Sequence, residues 1–215
     1  MIERLICLAI GYGFGLIQTG YLYGKTQKVD IRQMGSGNAG ATNALRTLGW
    51  KAGAVTFFGD AFKCIFAVIL ACVIFRDSQR DLLPVLTMYT GMGAVLGHNY
   101  PFYMNFKGGK GIAVTAGLIA STTNVWTVVL CLAVFTGIVA GTKYVSVGSM
   151  VVVVVYFISV VVLGQTGYYK VMGGPLYEIY AIAFLLVISA FFKHRANIKR
   201  LMTGTENKLS VGKKS

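Results

Sequence analysis

A helix crosses the roughly 30 Å hydrocarbon core of a bilayer with about 20 consecutive apolar residues. This sequence supplies such runs repeatedly, at residues 2–23, 52–75, 82–98, 124–141, 144–163 and 176–192, with a shorter run at 111–121. The runs are continuous and lack the period-two alternation of membrane strands, so helices are expected and not a barrel. Only 13% of residues are charged and 55% are hydrophobic. A soluble domain carries about a quarter charged residues, so a soluble enzyme, a disordered chain and a coiled coil are all disfavoured. The first run continues to about Tyr23 with no small-x-small cleavage signal, and it reads as a retained span.

The short run at 111–121 decides the topology. A run of this length is more often re-entrant or a core helix. The chain carries twenty Lys and Arg against seven Asp and Glu, a net charge of +13. With seven spans and the N-terminus outside, fifteen cations fall inside, among them the tail lysines Lys213 and Lys214, and four outside, with Lys63 inside a span. Six spans would put the basic segments 25–51 and 193–215 on opposite faces, against the positive-inside rule. The expectation is an all-α polytopic membrane protein: one domain, residues 1–215, folded as a compact seven-helix bundle. Its N-terminus lies outside, its C-terminus is cytoplasmic, and protein shields the short fourth helix.

Small residues recur in the spans. Gly11/Gly15, Gly20/Gly24, Gly93/Gly97 and Gly137/Gly141 have the spacing that lets helix backbones approach closely in lipid, and they read as packing positions. Cys7, Cys64, Cys72 and Cys131 all lie in apolar stretches without metal-ligand spacing, so neither a disulfide framework nor a metal site is expected.

Three polar clusters interrupt this apolar background. The first, residues 35–46, fits GxGxxG at Gly35, Gly37 and Gly40. A dinucleotide-binding unit needs a buried strand before it, and residues 29–34 are too polar for one. A flexible loop is the bland alternative. The density of Gly37, Asn38, Gly40, Thr42 and Asn43 suits an anion better, with backbone amides facing an oxyanion and Ser36 adding a hydroxyl. Arg46 offers a bidentate fork for phosphate.

The second cluster, residues 97–111, contains His98 and the run Lys107, Gly108, Gly109, Lys110, Gly111. It lacks Walker A spacing. Lys110 stands just before the short helix, where the helix dipole favours anions. For the lysines, topology is the competing explanation; for His98, a satisfied interfacial histidine. The third cluster, residues 194–206, places His194 and Asn197 on one face if the last helix continues. Arg195 and Glu206 complete it. A basic amphipathic tail on anionic lipid is the alternative there, and a solvated salt bridge is the alternative for Glu206. Asp60 and Lys63, three residues apart within a span, are functional suspects or simply a pair. Ser146 and Ser149 can reach the same face, but capping or helix–helix bonding is the simpler role.

All three clusters fall on one membrane face, which points to a cytosolic phosphate site opening towards lipid. A transporter for phosphate or a phosphorylated metabolite is the competing class. It calls for polar residues at mid-membrane along several spans, and chiefly Asp60 and Lys63 are there. Nucleic acid is not expected as a partner, because the charge excess is explained by topology and phosphate.

The three clusters resemble, in order, the three signatures of the bacterial acyl-phosphate glycerol-3-phosphate acyltransferase family (PlsY), and the resemblance covers nearly the whole chain. Cys64 stands where that family often has Gly, and Val114 where it often has Thr. The resemblance implies transfer of a fatty acyl group from acyl phosphate to the 1-hydroxyl of glycerol 3-phosphate. The products are lysophosphatidic acid and inorganic phosphate, the first step of bacterial phospholipid synthesis at the inner membrane. It implies no cofactor or metal, membrane lipid as surroundings, and a soluble enzyme that supplies acyl phosphate. On this basis Ser36, Arg46, Lys110, His194 and Asn197 are expected to be catalytic. Gly37, Asn38, Gly40, Thr42, Asn43, His98, Lys107, Gly108, Gly109, Gly111, Arg195 and Glu206 are expected to bind substrate. Direct transfer assisted by the substrate phosphate is expected, with His194 as an alternative base.

Overall fold

The computed structural model describes residues 1–209, so Lys213 and Lys214 lie outside the described residues. The described chain is all-helical, in ten α-helices: α1 (Ile2–Gly15), α2 (Thr19–Thr26), α3 (Ala41–Leu48), α4 (Trp50–Phe75), α5 (Leu83–Asn99), α6 (Ile112–Thr122), α7 (Val125–Thr142), α8 (Val145–Gln165), α9 (Gly174–Lys193) and α10 (Arg195–Met202). Local chemistry sets several of the boundaries. Pro84 opens α5, where its missing N–H costs nothing. The Asn124 side chain caps α7 by accepting from the Thr127 amide at 2.9 Å.

Five segments are long and apolar enough to cross a bilayer: Ile2–Thr26, Trp50–Phe75, Val125–Thr142, Val145–Gln165 and Gly174–Lys193. The 17-residue α5 and the 11-residue α6 complete the bundle. The short helix is enclosed by protein as expected, packing on α4 and α5, and Val114, Leu118 and Ile119 are buried. Cys64 and Val114, the two departures from the family pattern, both lie in the main apolar core.

Glycine governs the closest helix contacts. Gly11 and Gly15 of α1 face Gly93 and Gly97 of α5, and a Cβ at any of them would collide with the facing backbone. Gly137 and Gly141 are expected to pack the same way and do not: among the described residues nothing lies within 4 Å of where their Cβ atoms would stand. At the far end of the bundle, Arg4 of α1 grips Glu178 of α9 through two hydrogen bonds of 2.6 and 2.7 Å.

The first apolar run, expected as one span over 2–23, is broken between α1 and α2. The freed groups find partners on other helices, as irregular backbone at membrane depth must. The Ile17 carbonyl accepts from Lys63 Nζ at 2.5 Å, and buried Gln18 donates to the His98 carbonyl at 3.0 Å.

Candidate active site

One end of the bundle collects the starts of α3, α6 and α8 and the ends of α5, α7 and α9 around a cavity of about 430 Å³. Helix starts carry unpaired amides and a positive dipole end. At α3, Gly40, Ala41 and Thr42 line the cavity; at α6, Gly111, Ile112 and Ala113 do. Two helix N-termini therefore face one space, each beside a cation: Arg46 on α3 and Lys110 before α6.

The loop before α3 is shaped by Asn43. Its side chain donates to the carbonyls of Ile31 and Met34 at 2.8 and 3.0 Å and accepts from the Ser36 amide at 2.9 Å. Gly35, at φ +58°, abuts the Asn43 side chain with no room for a Cβ. Asn38 accepts from the Gly40 amide at 3.0 Å. Asn38 and Asn43 thus spend hydrogen bonds on shaping the loop, and Ser36 is carried to the cavity wall.

Arg46 donates from Nη2 to the Asn207 carbonyl at 3.0 Å, while its Nε is buried with no hydrogen-bond partner among the described residues. Burial pulls the guanidinium below its ordinary pKa, yet an arginine remains charged. Arg46 lines the cavity and pairs with no carboxylate among the described residues, so its charge suits an anion from outside the protein.

On the opposite wall Lys110 Nζ donates to Asn197 Oδ1 at 2.5 Å, and Asn197 Nδ2 donates to Glu206 Oε1 at 2.6 Å. Glu206 also accepts from Arg200 Nε at 2.7 Å and Ser146 Oγ at 2.9 Å. Burial alone would raise this carboxyl, but the hydrogen bonds from Asn197, Arg200 and Ser146 outweigh it and hold it low. Burial, reinforced by Arg200 and Arg46 and opposed by Glu206, brings the Lys110 ammonium down to about 8. His194 Nδ1 lies 2.7 Å from the Ala190 carbonyl. That contact needs a proton on Nδ1 and leaves the Nε2 lone pair available. Burial and the Lys110 charge push the imidazole down to about 4, so it is neutral at pH 7.

The remaining wall is apolar: Trp50, Ala54 and Phe57 of α4 face Phe135 and Val139 of α7 and Val145 of α8. The space is therefore half cationic and half greasy.

Of the residues expected from sequence, Ser36, Asn38, Gly40, Thr42, Asn43, Arg46, His98, Lys110, Gly111, His194, Asn197 and Glu206 line this one cavity. Gly37, Lys107, Gly108, Gly109 and Arg195 do not. Lys107 is exposed, and Arg195 is exposed and stacks on Phe192. Gly108 and Gly109 give their amides to the carbonyls of Asn99 and His98 at 3.2 and 3.1 Å, so these amides are not free for a phosphate. The last helix does not simply continue: it ends at Lys193 and restarts at Arg195. His194 at the junction and Asn197 one turn on are nevertheless both buried at the cavity. Sequence reasoning passed over Arg200 and gave Ser146 and Ser149 capping or helix–helix bonding as their simpler role, while both line the cavity. Arg200 was within reach of it, since it stands three residues after Asn197 and so on the same helix face.

A family model described as glycerol-3-phosphate acyltransferase matches residues 5–204. A glycerol-3-phosphate acyltransferase of Clostridioides difficile is 40% identical over 214 residues, covering 97% of each chain. One of Chlorobium limicola is 34% identical over 236 residues, covering 100% of both. The crystal structure of PlsY, an integral membrane glycerol 3-phosphate acyltransferase, in its glycerol 3-phosphate form superposes with a TM-score of 0.82 at 31% identity, covering 96% of each chain. Its lysophosphatidic acid form gives 0.80 at 30% identity, covering 97% of this chain and 96% of that one.

Proposed function

The chain belongs to the glycerol-3-phosphate acyltransferase family of integral membrane proteins, and from that premise we propose that it moves a fatty acyl group from acyl phosphate to the 1-hydroxyl of glycerol 3-phosphate. The observation that carries this reading is a cavity cationic on one side and apolar on the other, lined by an Arg46 that pairs with no carboxylate among the described residues. Arg46, Lys110 and Arg200 meet the single carboxylate of Glu206 there, while Asp60 is already paired with Lys63. That surplus fits phosphate, and the two helix N-termini fit two of them, one per substrate. The apolar wall fits the acyl chain.

Ser36, Arg46, Lys110 and the amides at the starts of α3 and α6 hold the phosphates, and His194 and Asn197 orient glycerol 3-phosphate. The hydroxyl oxygen attacks the acyl carbon, and the bond from that carbon to the phosphate oxygen breaks. The hydroxyl proton passes to the phosphate, which leaves as inorganic phosphate. Acyl phosphate is a mixed anhydride and already activated, so holding both reactants in line supplies much of the acceleration. His194 Nε2 accepts the hydroxyl hydrogen bond and aligns it. An imidazole of pKa about 4 is a poor final home for the proton, which favours the phosphate as base.

Seven crossings with the cavity end in the cytosol of a bacterial inner membrane complete the proposal. Seven apolar segments and the cations around the cavity end support it. A soluble enzyme upstream supplies the acyl phosphate. Purified protein in lipid, given palmitoyl phosphate with and without glycerol 3-phosphate, is the test. Phosphate release that needs both substrates, yields lysophosphatidic acid and fails in Lys110→Ala is expected. Uptake of glycerol 3-phosphate into liposomes without turnover would refute transfer, as would acylated Ser36 with ping-pong kinetics for the direct route.

A further inference from the structure

Beside the cavity, side chains from three helices, those of Asp60, Lys63 and His98 buried and that of Thr19 half-buried, share one hydrogen-bonded knot that the chemistry above leaves unused. Lys63 Nζ donates to Asp60 Oδ1 at 2.8 Å and to the Ile17 carbonyl at 2.5 Å, and lies 2.9 Å from His98 Nδ1. Thr19 donates to the same Asp60 oxygen at 3.0 Å. Asp60, Lys63 and His98 are exposed by 1%, 4% and 3%, so solvent does not compete for these contacts.

An ammonium has three protons and no lone pair. Here it meets three acceptors, so Nδ1 of His98 must be the lone-pair nitrogen. The ring proton then sits on Nε2. That nitrogen has no hydrogen-bond partner among the described residues, and His98 and Asp60 both line the cavity. Gly109 rests against it, and a Cβ at that position would overlap Nε2. A side chain at 109 would displace or cover the one donor that the knot leaves free.

We propose that His98 is a further catalytic residue, whose Nε2–H donates to the acyl carbonyl oxygen as that oxygen gains negative charge. Lys63 and Asp60 are positioning residues that fix the tautomer. The proposal rests on the acyl-phosphate reading of the cavity. The phosphates already have Arg46, Lys110 and two helix N-termini. The acyl carbonyl joins the phosphate to the chain, so it lies where the cationic and apolar walls meet. Asp60 and His98 stand at that junction, since Asp60 follows Phe57 by one turn of α4. A neutral donor held in advance stabilises charge that appears only in the transition state, and the hydrogen bond persists without surrendering its proton. The two histidines are then complementary. His194 carries its proton on Nδ1 and offers a lone pair to the hydroxyl, whereas His98 carries its proton on Nε2 and offers it to the carbonyl.

The experiment uses the full chain in nanodiscs. Gln places an amide donor near Nε2, whereas Leu places none. His98→Leu is expected to lower kcat by about 10²–10³-fold with KM for both substrates little changed, and His98→Gln to restore most of the loss. An unchanged kcat in His98→Leu, an equal loss in a folded His98→Gln, or an effect on KM alone would overturn the proposal. The chain has only two histidines, so ¹⁵N-histidine labelling reads both tautomers directly in the wild type, whether or not the variants fold. His98 is expected as Nε2–H and His194 as Nδ1–H; His98 as Nδ1–H would sink the idea. In the double variant Asp60→Asn/Lys63→Met, which removes the charges together, His98 is expected to lose its single tautomer as kcat falls. A tautomer unchanged there would refute the positioning role. Wild-type protein that transfers no acyl group would count against the proposed reaction itself, while the spectrum would still decide the tautomer.

Discussion

Lys110 has its ammonium brought down to about 8 by burial, which puts a pH-dependent switch on the proposed phosphate site inside the range an assay can scan. Its charged form holds an anion and its neutral form does not. Charge is therefore present below pH 8 and lost above it. The lysine is about nine-tenths protonated at pH 7 and about one-tenth at pH 9, so kcat/KM for acyl phosphate should fall roughly tenfold between them. Lys110→Arg supplies a cation that does not titrate below pH 12. It should lower activity throughout, since a planar fork cannot reproduce the short bond to Asn197. The alkaline fall should nevertheless vanish. The measurement is phosphate release coupled to lysophosphatidic acid formation, in nanodiscs of zwitterionic lipid so that surface potential does not shift the local pH. A tenfold fall that persists in Lys110→Arg would assign the titration elsewhere. A wild-type profile flat from pH 7 to 9.5 would refute the role of the Lys110 charge.

Arg46→Lys keeps the charge at the cavity wall but loses the planar guanidinium fork. A fall in kcat/KM of about 10–100-fold without loss of folding is expected, measured in the same phosphate-release assay. Glu206→Ala removes the acceptor shared by Asn197, Arg200 and Ser146. It should cost roughly 2–4 kcal/mol, discounted because about a third of the Arg200 side chain is exposed, and a lower apparent Tm in detergent is its readout. Gly93→Leu drives a side chain into the Leu8 carbonyl across the α1–α5 contact and should cost at least about 3 kcal/mol. Gly137→Leu, with nothing near its Cβ, should change the same apparent Tm by less than about 0.5 kcal/mol equivalent.

Hydropathy made the helical architecture legible, because a run of apolar residues carries its own instruction in lipid. Every apolar run but the first is a single helix within a few residues of its expected ends, and the first is two, α1 and α2. Motif chemistry made the cavity legible too: twelve of the seventeen site residues expected from sequence line it. What escaped was set by partners distant in sequence. The break at Leu16–Gln18 has no Pro or Gly at its centre, and it is held by Lys63 and by the His98 carbonyl, 46 and 80 residues away. Gly137 and Gly141 have the same spacing as Gly93 and Gly97, and spacing does not say whether a partner helix stands opposite. Gly108 and Gly109 looked like phosphate amides because a glycine pair beside lysines usually has free N–H groups. Here a turn against the end of α5 uses them. Ser146 was underweighted for a similar reason: its value comes from Glu206, 60 residues on.

The short α6 explains how charge can operate at such depth. Eleven helical residues rise about 16 Å and the eighteen of α7 about 27 Å. The two helices share one end, at residues 122–125. The start of α6, with Lys110, therefore lies about 10 Å less far along its own axis from that shared end than Lys143 lies along α7. On α4, Asp60 likewise lies ten residues, about 15 Å, beyond Trp50 at the mouth. The floor of the cavity is thus sunk beneath the bundle's end. Phe135, Val139 and Val145 line the height left uncovered by α6. In water such a recess would be merely deep. In a bilayer, under the proposed acyl transfer, it gives a hydrocarbon chain a way in from the side at its own depth while a phosphorylated alcohol descends from the aqueous end. Their reacting carbon and oxygen meet where the cationic floor joins the apolar wall. The same geometry makes the irregular backbone between α1 and α2 tolerable, because the Ile17 carbonyl it frees is answered by Lys63 at 2.5 Å and the Leu16 carbonyl by Tyr103 at 2.6 Å, by protein and not by lipid.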